Sequence, residues 1–564
     1  MKKLIECVPN FSEGNDITII KQITAVIESV EGVKLLDVDP GKATNRTVVT
    51  MIGEPEAVCE AAFRAVKKAG ELIDMSKHKG AHPRFGATDV CPLIPVANIT
   101  MEETVVYAHK LAERIGNELN IPVYCYESAA KEPKRKNLAS CRSGEYEGLK
   151  EKLANPEWKP DFGPDTFTSA VQKTGAIAVG ARNFLIAYNV NLNTTSTRRA
   201  NSVAFDLRER GRAKTDPVTK KPLLNEKGEP INEPGLLKSV KAIGWFIEEF
   251  GIAQLSMNLT DISVTPLHIA FDKACERAQA RGLRVTGSEL VGVVPLEAML
   301  ETGKYFLRKQ QRSVGISDKE LIKIAVKSLG LDELYPFEPD KKIIEYILEK
   351  EDSKGKKMLI SMDLVAFANE TSSESPAPGG GSIAAYMGAL GVSLGGMVAN
   401  LSAHKSGWDH RWEEFSNWAE KAKQFQSHLL KLVDEDTMAF NKIMDAFGLP
   451  KSSEQEKAVR TKAIQQATEF ATQVPFKTMQ LCFDSMEVMK AMAEIGNPNS
   501  VTDAGVGAIA ARAGVHGAYL NVKVNASGLH NKEFSTSIIN DATEILKKAK
   551  QLEDEILKIV ESKI

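Results

Sequence analysis

The sequence has no excess charge of one sign. Its 564 residues include 72 lysines and arginines against 74 aspartates and glutamates, which leaves a formal net charge of −2. Proteins that gather nucleic acid or anionic membrane surfaces usually carry a strongly basic face or tail. We therefore expect neither nucleic acid nor a membrane as a partner.

Cysteine is scarce and long apolar runs are missing. The seven cysteines are scattered without CxxC spacing, which indicates neither a disulfide framework nor a zinc ribbon. No uninterrupted apolar run reaches the roughly 18 residues of a membrane-spanning helix. The opening letters MKKLIECVPNF reach Pro9 too soon for the core of a signal peptide. The sequence predicts a cytoplasmic protein without membrane insertion.

The length predicts several folding units, because one hydrophobic core seldom serves more than roughly 250–300 residues. In the first part of the chain, strand-like segments alternate with amphipathic helices in a βαββαβ-like order that occurs twice. We predict two α+β, ferredoxin-like subdomains at residues 1–180 and 181–335, with a groove for small molecules between them. The polar segment 215–235 is expected to be an exposed hairpin or loop without chemistry.

The second half has a different character. The charged segment 336–357 is predicted to be a linker. Beyond it strand signals nearly vanish, and apolar residues at helical spacing predict an all-α bundle at 358–564. Small residues along SIAAYMGALGVSLGGMVANL are expected to let helices pack closely.

Two histidines four residues apart, His78 and His82, occur in the stretch HKGAHPRFG. Zinc proteases use this spacing on a helix, but they need the glutamate of HExxH, and Pro83 disfavours helical geometry at His82. We therefore expect no metal site. From the residues alone, the pair is either structural or the place of a proton transfer on a loop held by a rigid scaffold.

Several long strings resemble one known family over essentially the whole chain. Five strings resemble the formiminotransferase half of the formimidoyltransferase-cyclodeaminase family: ECVPNFSEG, LLDVDPGKATNRTV, LIDMSKHKGAHPRFGATDVCPLIPV, WKPDFGPDTF and KAIGWFIEE. Three further strings resemble the cyclodeaminase half of this family: SPAPGGGSIAA, LVDEDTMAFNKIM and GAYLNVKVN. The two sets follow each other in the family's order.

This resemblance implies a bifunctional folate enzyme of histidine degradation. The first reaction would transfer a formimino group from N-formimino-L-glutamate to N5 of tetrahydrofolate and release L-glutamate. The second would cyclise 5-formiminotetrahydrofolate to 5,10-methenyltetrahydrofolate and release ammonia. Two alternatives keep the formiminotransferase but make the helical half a methenyltetrahydrofolate cyclohydrolase or a non-catalytic oligomerisation module.

The resemblance also implies residues of a first site. His82 would accept and return the proton, supported by Asp39 or Asp89, while His78 keeps a structural interpretation. Arg46 and Arg84 are candidates for binding the substrate carboxylates, because a guanidinium binds a carboxylate bidentately. For each of them a surface salt bridge is the alternative. The folate-binding segment would comprise Gly163, Pro164, Asp165, Thr166, Phe167, Thr168, Ser169, Ala170, Val171 and Gln172. Its first two residues would let backbone approach the pteridine closely.

In the second half, Asp436 matches the catalytic aspartate of the family. It is predicted to lie on a helix, on the same face as Leu432 and Phe440, where burial would raise the pKa of its carboxyl group. Asp434 is the alternative. APGGGS lacks the pattern of a phosphate loop and predicts a helix start instead. Family-like loops supply three possible pterin contacts: Asn499, Asp503 and Asn525.

The family also implies partners. Tetrahydrofolate would be the co-substrate, and its polyglutamate tail could stay bound while the pterin moves between sites. A homo-oligomer is expected, and the form that the resemblance implies is a ring-shaped octamer.

Overall fold

The computed structural model describes residues 3–42, 44–80, 84–219, 221–226, 228, 230–352 and 358–564. The chain divides into two compact units. The sheet unit consists of Met1–Met299 and Val326–Lys350, and the helical unit consists of Leu300–Ala325 and Glu351–Ile564. The multidomain organisation, with sheets in the N-terminal part and an all-helical C-terminal part, is confirmed for the described residues.

The sheet unit begins with a seven-stranded sheet. Its elements, with three short helices before the last strand, are β1 (Leu4–Cys7), β2 (Asn10–Phe11), α1 (Ile17–Glu28), β3 (Val33–Gly41), β4 (Arg46–Gly53), α2 (Pro55–Leu72), β5 (Thr88–Ala97), α3 (Met101–Leu119), β6 (Val123–Glu127), α4 (Leu138–Cys141), α5 (Leu149–Ala154), α6 (Ser169–Thr174) and β7 (Ile177–Ala181). β3 lies beside β4, and both β1 and β2 lie between β4 and β5 in antiparallel pairing. β5, β7 and β6 follow as parallel neighbours.

The two faces of this sheet differ because side chains alternate along each strand. Cys7 of β1 and Met51 of β4 pack with α1, α2 and α3 in one hydrophobic core, to which α1 contributes Ile23. Glu6 and Arg46 have the opposite parity and therefore point to the other face. Asp39 lies opposite Val48 of β4 in the strand register and points to that face as well.

A second, four-stranded sheet follows in the same unit. Its elements, together with a short ribbon of two strands, are β8 (Ile186–Leu192), α7 (Thr197–Leu207), β9 (Arg212–Ala213), β10 (Asn232–Glu233), β11 (Val240–Ile247), β12 (Ile252–Leu259), α8 (Leu267–Gln279) and β13 (Val285–Val291). The antiparallel order is β11, β12, β8, β13. β9 lies just before the segment 215–235 and pairs with β10 near the end of that segment. Val218 between them is 86% exposed, which agrees with the predicted exposed hairpin.

The chain then continues through four helices: α9 (Leu296–Lys309), α10 (Asp318–Leu329), α11 (Pro339–Lys342) and α12 (Ile344–Asp352). The predicted linker 336–357 is therefore helical over much of its described part, and residues 353–357 lie outside the described residues. Lys34 Nζ donates to the carbonyl of Ile347 at 3.3 Å, which attaches α12 to β3.

The helical unit includes a segment that we predicted to belong to the second α+β subdomain. Leu300–Ala325 groups with it rather than with 181–335. The Val314 N–H donates to Ser416 Oγ at 3.0 Å, and Gly315 lies so close to Ala419 that a Cβ would overlap it. These contacts join residues far apart in sequence, so local patterns do not show them.

The remaining elements of the helical unit are α13 (Leu364–Thr371), α14 (Gly380–Ala403), α15 (Trp412–Gly448), α16 (Glu454–Ile495), α17 (Val501–Ser527) and α18 (Lys532–Glu561). The predicted close packing through small residues is confirmed. A Cβ on Gly391 of α14 would come within 2.7 Å of the Gly507 carbonyl and 2.9 Å of the Ala511 nitrogen on α17. The two helices meet there backbone to backbone.

Among the described residues, α14 is the one helix with the length and hydropathy of a membrane span, but 61% of its apolar window is buried inside the protein. Buried central helices of bundles have the same composition.

Candidate functional site

The histidine loop is attached to the turn between β3 and β4. His78 Nε2 lies 2.9 Å from the carbonyl oxygen of Asn45, and Asn45 Nδ2 donates to the carbonyl of Lys79 at 2.9 Å. His78 thus has the structural contact expected of it. His82, the predicted catalytic residue, lies outside the described residues.

The carboxylate of Asp89 binds two arginines. Its Oδ2 lies 2.6 Å from Arg46 Nη1 and 3.0 Å from Arg142 Nη1. The Asp89 side chain is completely buried, whereas the Arg46 and Arg142 side chains remain 14% and 16% exposed. The structure therefore brings together two predicted residues, Asp89 and Arg46, and adds Arg142, which the sequence did not identify.

Arg46 is held by a second set of contacts. Its Nε and Nη2 both donate to Asn10 Oδ1, at 2.9 and 2.6 Å. Burial lowers the pKa of Arg46 to about 10, while the neighbouring Asp89 charge opposes that shift. Arg46 is therefore still a cation near neutral pH, with its side chain fixed in place.

Asp39 lies on the same face but at a distance from Asp89. The strand registers join Asp39 to Val48, Val48 to Asn10 and Asn10 to Val90 in one row across the sheet. Three strand spacings place the backbone of Asp39 roughly 14 Å from that of Val90, the residue that directly follows Asp89. The structure does not bring the two candidate carboxylates together.

Arg84 is engaged near the surface. Its Nη2 contacts Glu147 Oε1 at 2.5 Å and donates to the carbonyl of His78 at 3.2 Å. Glu147 is 61% exposed, so this is a rim ion pair of the kind that contributes little stability. A substrate carboxylate would have to displace Glu147 to bind Arg84 bidentately.

Most of the segment predicted to bind folate is exposed, while Pro164 and Phe167 are half-buried and Val171 is buried. Thr168 Oγ1 accepts from the Val171 N–H at 3.2 Å and begins α6. Gly163 has a φ of +82°, and a Cβ there would overlap the Ile121 carbonyl. Packing within the fold therefore already requires Gly163, whatever its role towards a pteridine.

In the helical unit, Asp436 of α15 lies at the start of α14. Ser382 Oγ donates to Asp436 Oδ2 at 3.1 Å, and the Ser382 backbone N–H also donates to this carboxylate. Gly381 lies so close that a Cβ would overlap the Asp436 carboxyl group. Burial raises the pKa of Asp436, and the two bonds from Ser382 oppose this shift. The predicted buried helix position and helix start therefore form one cluster.

Asp434 makes a different contact. It is buried, its Oδ1 accepts from the Leu359 N–H at 2.6 Å, and burial raises the pKa of its carboxyl group. The predicted apolar face holds for buried Leu432 but is wrong for Phe440, which is 38% exposed. The buried stripe of α15 continues from Leu432 through Ala439 to Ala446, and Phe440 lies beside this stripe rather than on it.

Models of three consecutive domains match the chain. The formiminotransferase domain, N-terminal subdomain, matches 4–182, the formiminotransferase domain matches 187–349, and formiminotransferase-cyclodeaminase matches 363–544. A formimidoyltransferase-cyclodeaminase of Gallus gallus is 42% identical over 564 residues, which is 100% of both chains. The chain belongs to the formimidoyltransferase-cyclodeaminase family.

Relatives of this family member also exist as shorter proteins. A glutamate formimidoyltransferase of Streptococcus pyogenes serotype M1 is 40% identical over 308 residues, 55% of this chain and 94% of its own. A methenyltetrahydrofolate cyclohydrolase of Methylorubrum extorquens is 36% identical over 198 residues, 35% of this chain and 95% of its own. Single-activity proteins thus correspond to parts of the chain.

The predicted pterin contacts of this family member do not form one set. Asn499 lies in the turn just before α17 and Asp503 in the first turn of this helix, whereas Asn525 lies inside the helix near its end rather than in a loop. At about 1.5 Å per residue, Asp503 and Asn525 are roughly 33 Å apart. Asn521, one turn before Asn525, is the residue beside Gly380 and hence beside the Asp436 cluster.

Sequence reasoning missed Arg142, Lys152 and Asn521. Arg142 follows α4, and Lys152 lies on α5 with its ammonium group buried against that loop. No local pattern marks them, because each meets its partners only through the fold. Within the described ranges, no three His, Cys, Asp or Glu side chains are grouped to hold a metal ion.

Proposed function

We propose that the protein transfers a formimino group from N-formimino-L-glutamate to N5 of tetrahydrofolate, then cyclises the product to 5,10-methenyltetrahydrofolate with release of ammonia. The observation that carries this proposal is the end-to-end match to a protein named for both activities, at 42% identity over 564 residues. The relative named glutamate formimidoyltransferase supports the first activity.

The first reaction needs an acid-base group, because nitrogen leaves poorly unless it is protonated. His82 accepts the proton of the attacking folate nitrogen and returns it to the departing glutamate nitrogen. Arg46 is suited to a substrate carboxylate, since it is cationic, fixed by Asn10 and partly exposed. Asp89 holds Arg46, and Asp39 remains the second candidate for supporting the imidazole.

The second reaction needs a carboxyl group that exchanges protons near neutral pH. Asp436 fits because burial raises its pKa and the Ser382 hydroxyl fixes its orientation. It protonates the departing ammonia nitrogen. Asn521 lies at the same end of α14 and is suited to bind a polar edge of the pterin.

We also propose the finer features that the family implies. Each part of the sheet unit is ferredoxin-like, because its strands follow the orders β3, β4, β1/β2, β5 and β11, β12, β8, β13 with a helix in each crossover. The protein works in the cytoplasm as a homo-oligomer, for which we propose the family's ring-shaped octamer. The co-substrate is polyglutamylated tetrahydrofolate, bound along Gly163 to Gln172 in a groove between the subdomains 1–180 and 181–335.

The test uses His82→Ala and Asp436→Asn in the full-length chain, with L-glutamate and ammonia measured separately. His82→Ala should lower glutamate release by about 10²–10⁴-fold. Asp436→Asn should preserve glutamate release and abolish ammonia release. The matched controls, exposed His410→Ala and exposed Asp445→Asn, should leave both unchanged. Wild-type turnover in either site variant would contradict the assigned role.

A second candidate for the helical half is a methenyltetrahydrofolate cyclohydrolase, which the Methylorubrum extorquens relative favours. Hydrolysis of 5,10-methenyltetrahydrofolate without ammonia release from 5-formiminotetrahydrofolate would support this candidate. If the helical half shows neither activity, it is a non-catalytic oligomerisation module.

A further inference from the structure

We propose that Arg142 binds a carboxylate of the substrate in the formimino-transfer site, and that buried Lys152 positions it. This inference rests on the proposed function and adds to it a specificity residue and a positioning residue. Neither belongs to the strings that identified the family.

The charge of the cluster favours an incoming anion. Asp89 offers one carboxylate to two guanidinium groups, those of Arg46 and Arg142, so this trio carries one net positive charge. The carboxylate is completely buried, where charges interact more strongly than in water. A substrate carboxylate beside the two arginines would balance the trio.

Both arginines can be reached from solvent. Arg46 and Arg142 keep 14% and 16% of their side chains exposed, and the planar guanidinium group matches the geometry of a carboxylate. Asn10 fixes Arg46 from one side. Arg142 comes from a different part of the chain, the loop after α4, so its position depends on that loop.

Lys152 fixes the loop that carries Arg142. Its Nζ donates to the carbonyl oxygens of Cys141 at 2.7 Å and Ser143 at 3.0 Å, the residues on either side of Arg142. The ammonium also lies 4.2 Å from the centroid of the Trp158 ring. Burial of this lysine lowers its pKa to about 8, a cost that its backbone contacts offset. Because Lys152 donates to the backbone on both sides of Arg142, it holds this loop in one conformation.

The first measurement is the steady-state kinetics of Arg142→Gln in the full-length protein. The KM for N-formimino-L-glutamate should rise about 10- to 100-fold, the range for losing one charged hydrogen bond. The kcat and the KM for tetrahydrofolate should stay within about twofold, because an interaction equal in ground and transition states affects KM alone. Arg114→Gln, an arginine on α3 that pairs with Glu60, is the control.

Two shortened substrates distinguish binding from a structural role. N-formimino-4-aminobutyrate lacks the α-carboxylate, and N-formimino-2-aminobutyrate lacks the γ-carboxylate. If Arg142 binds one of these groups, its substitution should have no further effect on the analogue that lacks that group. Equal penalties for the full substrate and both analogues would overturn the proposal. Arg142→Lys keeps the charge beside Asp89 and should give an intermediate KM if the glutamine variant does not fold.

Lys152→Met tests the positioning role. It should raise the same KM as Arg142→Gln, and the double variant should show no additional increase. Lys152→Arg, which keeps the charge and donors, should recover part of the affinity and serves if the methionine variant does not fold. A wild-type KM in Lys152→Met, or additive effects on KM in the double variant, would overturn the positioning role of Lys152. A wild-type protein that releases no glutamate would instead contradict the proposed function.

Discussion

Glu6 illustrates at the residue scale how burial changes the ionisation of a side chain. It lies in β1, opposite Ile52 of β4 and Ile94 of β5, and is buried. Burial raises its pKa from 4.5 to about 7, and the charge of Arg182 opposes this shift only in part. The folded protein therefore holds a proton on Glu6 at pH values where the unfolded chain has lost it.

We predict that Glu6→Gln removes a pH dependence of stability. Because the folded pKa is raised, stability from this group is complete below pH 4.5 and is lost as pH rises towards about 7. The loss amounts to about 3 kcal/mol, from about 1.4 kcal/mol per pKa unit. The free energy of unfolding of Glu6→Gln minus that of wild type should thus be about 2 kcal/mol larger at pH 8 than at pH 5.

The measurement is hydrogen exchange of β1, β4 and β5 amides at both pH values. Glu31→Gln, an exposed glutamate in the same unit, is the control and should show no such difference. Parallel pH profiles for wild type and Glu6→Gln would contradict the prediction.

At the element scale, the start of α14 and the middle of α15 act as one structural feature. The N-cap residue Gly379 has no side chain to satisfy the first backbone N–H groups, and Asp436 of α15 accepts from Ser382 instead. A capping carboxylate near a helix N-terminus is also stabilised by the helix dipole. The same contact therefore serves stability and the proposed chemistry.

We predict that Gly381→Ala moves the Asp436 carboxylate and stops ammonia release. A Cβ at Gly381 would overlap that carboxyl group, and relieving such overpacking typically costs about 1–3 kcal/mol. Glutamate release should be unchanged. Gly379→Ala is the matched control, because the nearest atom to its added Cβ would be the Pro376 carbonyl oxygen at 3.8 Å. The assay is ammonia release together with Tm, and normal ammonia release by Gly381→Ala would refute the tight contact.

At the scale of the whole molecule, the chain passes between its two units more than once. Leu300–Ala325 belongs to the helical unit, while Val326–Lys350 returns to the sheet unit. Asn400 Nδ2 donates to the carbonyl of Gly315 at 2.9 Å, and Lys304 Nζ lies 2.9 Å from Glu420 Oε1. The N-terminal part of the chain thus supplies a piece of the helical unit.

We predict that a single cut of the chain at 353–357 does not separate the two resulting fragments. A specific protease site inserted at 353–357 should yield two fragments that co-elute in native size-exclusion chromatography and separate in denaturant. In the same cut protein, Gly315→Ala should weaken the association, because the added Cβ overlaps Ala419. Independent elution of the wild-type fragments would mean that Leu300–Ala325 does not hold them.

Much of the architecture followed from local patterns. Alternating strand and helix signals predicted the sheet unit, and helical periodicity predicted the bundle, because both depend on residues within one or two turns or strands. Arg142 and Asn521 could not be found in this way. Strand register brings Arg46 to Asp89, and helix packing brings Asn521 to Gly380, and neither is encoded in a short stretch.

The sequence by itself determined the family, the division into a sheet-containing and a helical part, and the placement of Asp436 on a helix at a partly buried position. These properties depend on residue identity and on the periods of single elements. Only the tertiary structure decided which partners these side chains meet: Asp89 meets Arg46 and Arg142, Asp436 meets Ser382, and Asp434 meets the backbone N–H of Leu359. Such pairings depend on contacts between elements distant in the chain, where burial raises or lowers a pKa according to its neighbours.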